Sequence, residues 1–122
     1  MSNPAPGFQS RPDHEILLDT GPDTVSVTLN GTPVAMTSTA VVLREDGYPV
    51  RAYVPKGDIM ATLVPTAKTT HCPFKGDTVY FDVEAGGERL ENAAWAYDHP
   101  YDEMTALAGH VAFDDRFTVT IG

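Results

Sequence analysis

Thr24-Val25-Ser26-Val27-Thr28-Leu29-Asn30-Gly31-Thr32-Pro33-Val34-Ala35-Met36 is the stretch that decides the fold class. Val25, Val27 and Leu29 fall on one side of an extended chain, and Thr24, Ser26 and Thr28 on the other. That period of two is the pattern of a strand buried on one face. Asn30-Gly31 tolerates the positive φ angles that a two-residue type I′ turn demands, so residues 32–36 return as an antiparallel partner.

The same grammar continues on both sides of this hairpin. Upstream, residues 14–19 predict a first strand, and Gly21-Pro22-Asp23 reads as a turn. Residues 1–13 carry Pro4, Pro6, Gly7 and Pro12 with little apolar content besides Phe8, which predicts a flexible tail. Downstream, residues 41–44 and 50–54 are extended runs; Pro55 ends the second, and residues 56–60 predict one helical turn. Residues 61–64 resume β structure until Pro65. Residues 77–84 alternate again, with Val79, Phe81 and Val83 inward and Thr78, Tyr80, Asp82 and Glu84 outward. Gly86-Gly87 then turns the chain into a strand over 88–97. Asp98 and Pro100 introduce a short helix near 101–108 that Gly109 stops. Residues 110–113 and 117–121 are the last strands. The reading is a single mainly β domain over 14–122, with about eight strands, one or two short helices, and an antiparallel rolled sheet or barrel-like architecture.

A chain of 122 residues fits one core, and 42% hydrophobic with 20% charged residues is ordinary for a globular domain. The formal charge of -9, with eight scattered Lys and Arg, repels phosphate backbones and anionic lipid surfaces, so neither nucleic acid nor membrane is expected as a partner. One cysteine cannot form an internal disulfide, and the first residues lack an apolar signal core, which together predict a cytoplasmic protein. No apolar run approaches the roughly 20 residues of a membrane helix.

Chemistry concentrates in Thr69-Thr70-His71-Cys72-Pro73-Phe74-Lys75-Gly76, read as a loop between two strands. Cys72 is a candidate nucleophile with Lys75 and His71 near it in sequence, although a lone cysteine also fits a small buried hydrophobe. Neighbours in extended structure point to opposite faces, so His71 serves as a base for Cys72 only if the segment curls. Lys75, with the upstream hydroxyls including Thr70, can hold an anion, or can be a solvated turn lysine. Arg51 and Tyr53 share a strand face. Trp95 offers a stacking wall or a core aromatic, and Asn92 an amide near it. Asp82 and Glu84 read as a solvated face rather than a magnesium pair. With the other three histidines far off in sequence, no metal and no cofactor are expected.

Three ordered motifs, residues 70–76, 91–97 and 108–113, together with the Arg51-Ala52-Tyr53-Val54-Pro55 strand, resemble domain-of-unknown-function family 427, sometimes catalogued as nucleotidyltransferase-like. The likeness covers residue 14 to the end. It implies a compact, mainly β fold whose shared polar residues include those matching His71, Cys72, Lys75 and Trp95. The resulting expectation is a small-ligand pocket around residues 69–76, with an anionic ligand attracted by Lys75 and Arg51, and with Cys72 or His71 carrying any reaction. The competing expectation is a non-catalytic module that forms a homodimer through a sheet edge.

Overall fold

The computed structural model describes residues 2–20 and 23–122, so the predicted turn at 21–23 lies largely outside the described residues. Ten strands are present among them: β1 (Ile16–Asp19), β2 (Val25–Leu29), β3 (Thr32–Thr37), β4 (Val41–Glu45), β5 (Arg51–Pro55), β6 (Thr62–Cys72), β7 (Gly76–Ala85), β8 (Glu88–Ala96), β9 (His110–Phe113) and β10 (Thr118–Ile121). They form a seven-stranded sheet in the order β1-β4-β5-β9-β8-β7-β6 and a three-stranded sheet in the order β10-β2-β3. All pairings are antiparallel. The mainly β, antiparallel expectation therefore holds, but the sheets remain open and do not close into a barrel.

The β2–β3 hairpin turns through Asn30 at φ 50° and Gly31 at φ 84°, the left-handed pair its sequence predicts. Val25, Val27 and Leu29 are buried. They meet Val54, Phe81, Val83, Ala94, Ala96, Val111 and Phe113 of the large sheet in one cluster, so the small sheet covers one face of the large one. The opposite face carries a second cluster of Val41, Leu43, Tyr53, Tyr97, Met104, Leu107 and Ala112. Met104 and Leu107 come from a 3-10 helix, Asp102–Leu107, where the sequence predicts a short helix. No helix among the described residues is long and apolar enough to cross a membrane.

One expectation needs correction here. β6 runs straight through Pro65 to Cys72, so residues 69–72 are strand rather than loop, and only Pro73, Phe74 and Lys75 form the turn into β7. Pro65 is accommodated because β6 is an edge strand, where a missing N–H breaks no ladder bond. Residues 3–10, where the sequence leads one to expect a tail, make a set of main-chain contacts with the domain. Pro6–Ser10 forms a short helix, α1. The Gly7 N–H donates to the Pro73 carbonyl at 2.9 Å, and the Asp102 N–H donates to the Asn3 carbonyl at 3.0 Å. The Asn3 and Ala5 amides donate to the carboxylates of Asp102 and Glu103.

Composition hides this docking because backbone groups make it. A Cβ on Gly7 would lie 2.8 Å from the Phe74 ring and 2.9 Å from the Pro73 oxygen, so glycine alone permits the approach. Phe8 then packs edge-on against Phe74, with ring centroids 4.9 Å apart. Phe8→Ala is expected to cost about 1–2 kcal/mol, from lost apolar area and the ring pair. A urea midpoint unchanged from the parent chain would show the strap to be energetically idle.

Candidate functional site

Strand alternation builds the site. On β5, Ala52 and Val54 enter the core between the sheets, which turns Arg51 and Tyr53 to the other face. On β7, Phe81 and Val83 point inward, leaving Thr78 and Tyr80 on that same outer face. Trp95 stands directly across from Tyr80 in the β7–β8 register, and Thr70 across from Thr78 in the β6–β7 register. These residues surround a concavity of about 360 Å³, completed by Glu45, Tyr48, Cys72, Lys75, Asn92, Tyr97 and Asp114 among others. That volume lies in the range of small-molecule clefts.

Of the residues singled out from sequence, Arg51, Tyr53, Thr70, Cys72, Lys75, Asn92 and Trp95 converge here. His71 does not. It follows the alternation of β6 to the opposite face, where Nδ1 sits 2.8 Å from Asp77 Oδ1, and it is no partner for Cys72. Asn92 reaches the recess through irregular pairing: the β7–β8 register shifts between Phe81 and Val83, and Asn92 adopts φ 47°. Asp82 holds that bulge. Its Oδ1 accepts the Asn92 N–H at 2.9 Å, and its Oδ2 accepts Arg89 Nη2 at 2.9 Å. The Asn92 amide and then Arg89 keep the Asp82 carboxyl below the usual carboxylate range. Asp82 is only 8% exposed, which corrects the solvated-face reading; its oxygens are committed to the bulge and to Arg89.

The floor of the recess is a buried ion cluster. Lys75 Nζ donates to Glu45 Oε1 at 2.6 Å, and His14 Nε2 donates to Glu45 Oε2 at 2.9 Å. The Lys75, Glu45 and His14 side chains are 9%, 7% and 6% exposed. Lys75 Nζ also lies 3.8 Å from Cys72 Sγ. Lys75 is therefore not the solvated turn lysine of one sequence reading. Burial pushes its ammonium down, but the Glu45 hydrogen bond and the charges of Cys72, Glu45 and Tyr97 outweigh that and leave it raised. Gly76 lets the turn close, at φ 121° with a Cβ position 3.2 Å from the His99 carbonyl oxygen.

Aromatic groups make the walls. Trp95 Nε1 donates to the Tyr53 hydroxyl at 3.1 Å, and the Arg51 guanidinium lies 5.2 Å from the Trp95 ring centroid. Tyr80 bonds Thr70 through their hydroxyls at 3.0 Å. Burial raises the Tyr53 phenol well above its ordinary value, and burial likewise raises Tyr97. Glu45, His14, Tyr48, Tyr80 and Tyr97 escaped the sequence reading of the site. Glu45 stands at the end of β4, and His14 is separated from it by 31 positions. Among the described residues, no group of three or more His, Cys, Asp or Glu is arranged to hold a metal ion.

Tyr53, Tyr97 and Lys75 each hold a proton more tightly folded than unfolded. The stability they contribute is present in full below about pH 10, their ordinary range, and is lost as pH rises from there through the folded values. The urea midpoint is expected to stay level from about pH 7 to 9 and to fall above about pH 10, less steeply in Tyr53→Phe. A midpoint level throughout would refute the tyrosine assignment.

The sequence model of a family described as a domain of unknown function, DUF427, matches residues 17–121. The chain belongs to the DUF427 family. No curated protein matches it. The DUF427 match runs from the second residue of β1 through the end of β10 and takes in every lining residue of the recess. His14 and the docked strap fall before the matched span, so in this chain a residue from outside the DUF427 match supplies one of the two partners of Glu45.

Proposed function

We propose that this DUF427 protein binds a small molecule with a flat ring in the recess on the outer face of the large sheet. The observation that carries this reading is the distribution of aromatics. Four of the five tyrosines and the single tryptophan line one concave surface. Aromatic faces recognise planar rings by offset stacking, while Thr70, Asn92 and the Tyr53 hydroxyl supply orienting polar groups. A thermal-shift screen of ring-bearing metabolites tests it, since a ligand of the native state raises the melting temperature in proportion to its occupancy. Shifts that vanish in Asn92→Ala support the reading; an empty screen removes it.

Any covalent step belongs to Cys72, the thiol on the recess beside Lys75, with His71 excluded by its face. The check is alkylation by iodoacetamide at neutral pH, in which sulfur displaces iodide. Labelling at least about tenfold faster than glutathione supports a reactive thiol; labelling no faster leaves a binding site without chemistry at this sulfur.

Self-association is the second reading, favoured by the long edge strand β6, most of whose residues are exposed. Pro65, Lys68 and the register shift between Pro65 and Thr69 blunt that edge, which weighs against it.

A further inference from the structure

We infer that the ring-bearing ligand carries a carboxylate, and that this carboxylate takes the place of Asp115 on the Arg51 guanidinium. The inference rests on the recess being a ligand site and names the chemistry it selects.

Two cations line the recess, and they differ in what holds them. Lys75 is locked: its ammonium is buried against Glu45 at 2.6 Å, and Glu45 is itself fixed on its other oxygen by His14. An incoming anion gains nothing from a cation whose charge is already matched in a dry site. Arg51 is held differently. Its Nη1 donates to Asp115 Oδ1 at 2.8 Å, and the Asp115 side chain is 83% exposed. Among the described residues the guanidinium makes no other hydrogen bond, so most of its donor fork is open. An exposed single-contact ion pair contributes little and exchanges readily.

The guanidinium is nonetheless aimed. It lies over the Trp95 ring at 5.2 Å, with its side chain 25% exposed, so its orientation comes from the indole rather than from Asp115. A planar fork of fixed direction, beside an aromatic wall, fits a carboxylate attached to a ring. Asp114, another acid on the recess, is occupied by Arg116 Nε at 3.0 Å and Nη2 at 2.7 Å. Formal charges on the lining residues Glu45, Asp114, Arg51 and Lys75 sum to zero. Asp115, which pairs with Arg51 from outside that lining, brings the local balance to -1, and a ligand carboxylate that displaces it leaves that balance unchanged.

The test pairs benzoate with its uncharged isostere benzamide, and follows the single indole N–H resonance of Trp95 in nitrogen-proton spectra. Benzoate is expected to bind about tenfold or more tighter than benzamide. Arg51→Gln should erase that preference, bringing the benzoate and benzamide affinities to within about twofold of each other. Asp115→Asn should tighten benzoate by up to about fivefold, because the competing counter-ion is gone. Equal affinities for the two probes, or an Asp115→Asn protein that binds benzoate no better than the parent, overturns the carboxylate inference and leaves the ring-binding site standing. Failure of both probes to move the indole resonance also overturns it; the ring-binding proposal itself falls only if the broad thermal-shift screen is empty as well.

Discussion

Glu45→Gln is expected to destabilise the fold by about 3–5 kcal/mol, the range found when one member of a buried ion pair is removed and its partner stays behind. Glu45 holds Lys75 on one oxygen and His14 on the other, with all three side chains nearly dry. Glutamine keeps the volume but removes the charge, and its amide nitrogen faces one of two donors. Lys75 is then a buried cation without a counter-ion. Its alternatives are to lose its proton or to drag the Pro73–Lys75 turn toward water, and either uncouples the β6–β7 hairpin end from the strap that packs on Phe74.

A double replacement tests whether charge or shape is responsible. Glu45→Met with Lys75→Met removes both charges and fills the space with flexible apolar chains, so it should be less damaging than Glu45→Gln alone. Urea unfolding of the parent, Glu45→Met, Lys75→Met and the double provides the cycle, with Glu45→Gln measured beside it. A Glu45→Gln loss under about 1 kcal/mol would mean that the cluster is already hydrated and contributes little.

Trp95→Ala is expected to weaken the best ring compound from the thermal-shift screen by about 10- to 100-fold, the size of a lost stacking surface. Calorimetry must read this variant, since its indole resonance is gone. The loss has two parts. The indole is itself a wall of the recess, and it also sets the direction of Arg51 and donates to the Tyr53 hydroxyl. Trp95→Phe keeps a ring without the N–H, so it should recover part of the affinity but not the orientation of Tyr53. An affinity unchanged in Trp95→Ala would move the ligand away from this wall.

The sheet hairpins were legible because their cause is local. Alternation of Val25, Val27 and Leu29 and the Asn30-Gly31 pair depend on nothing beyond their own neighbours. Arg51, Tyr53, Cys72 and Trp95, candidates from sequence that line one recess in the structure, were legible as candidates because each is a conspicuous group on a strand. Glu45 and His14 were not, since their meaning lies in a contact 31 positions apart that no spacing announces. The strap was missed for a related reason: main-chain donors and a glycine dock it, and composition reports only side chains. Asp82 was misassigned because alternation alone gave its direction correctly, while the bulge at Asn92 and the Arg89 side chain enclosed it.

The account stands on the recess being where this DUF427 chain meets its ligand, and the indole N–H of Trp95 is the most direct witness. With the compound that most raises the melting temperature added stepwise, that single resonance should shift and saturate over the concentration range that stabilises the protein. A compound that stabilises the fold while leaving the Trp95 resonance still would place the binding site elsewhere and contradict the account.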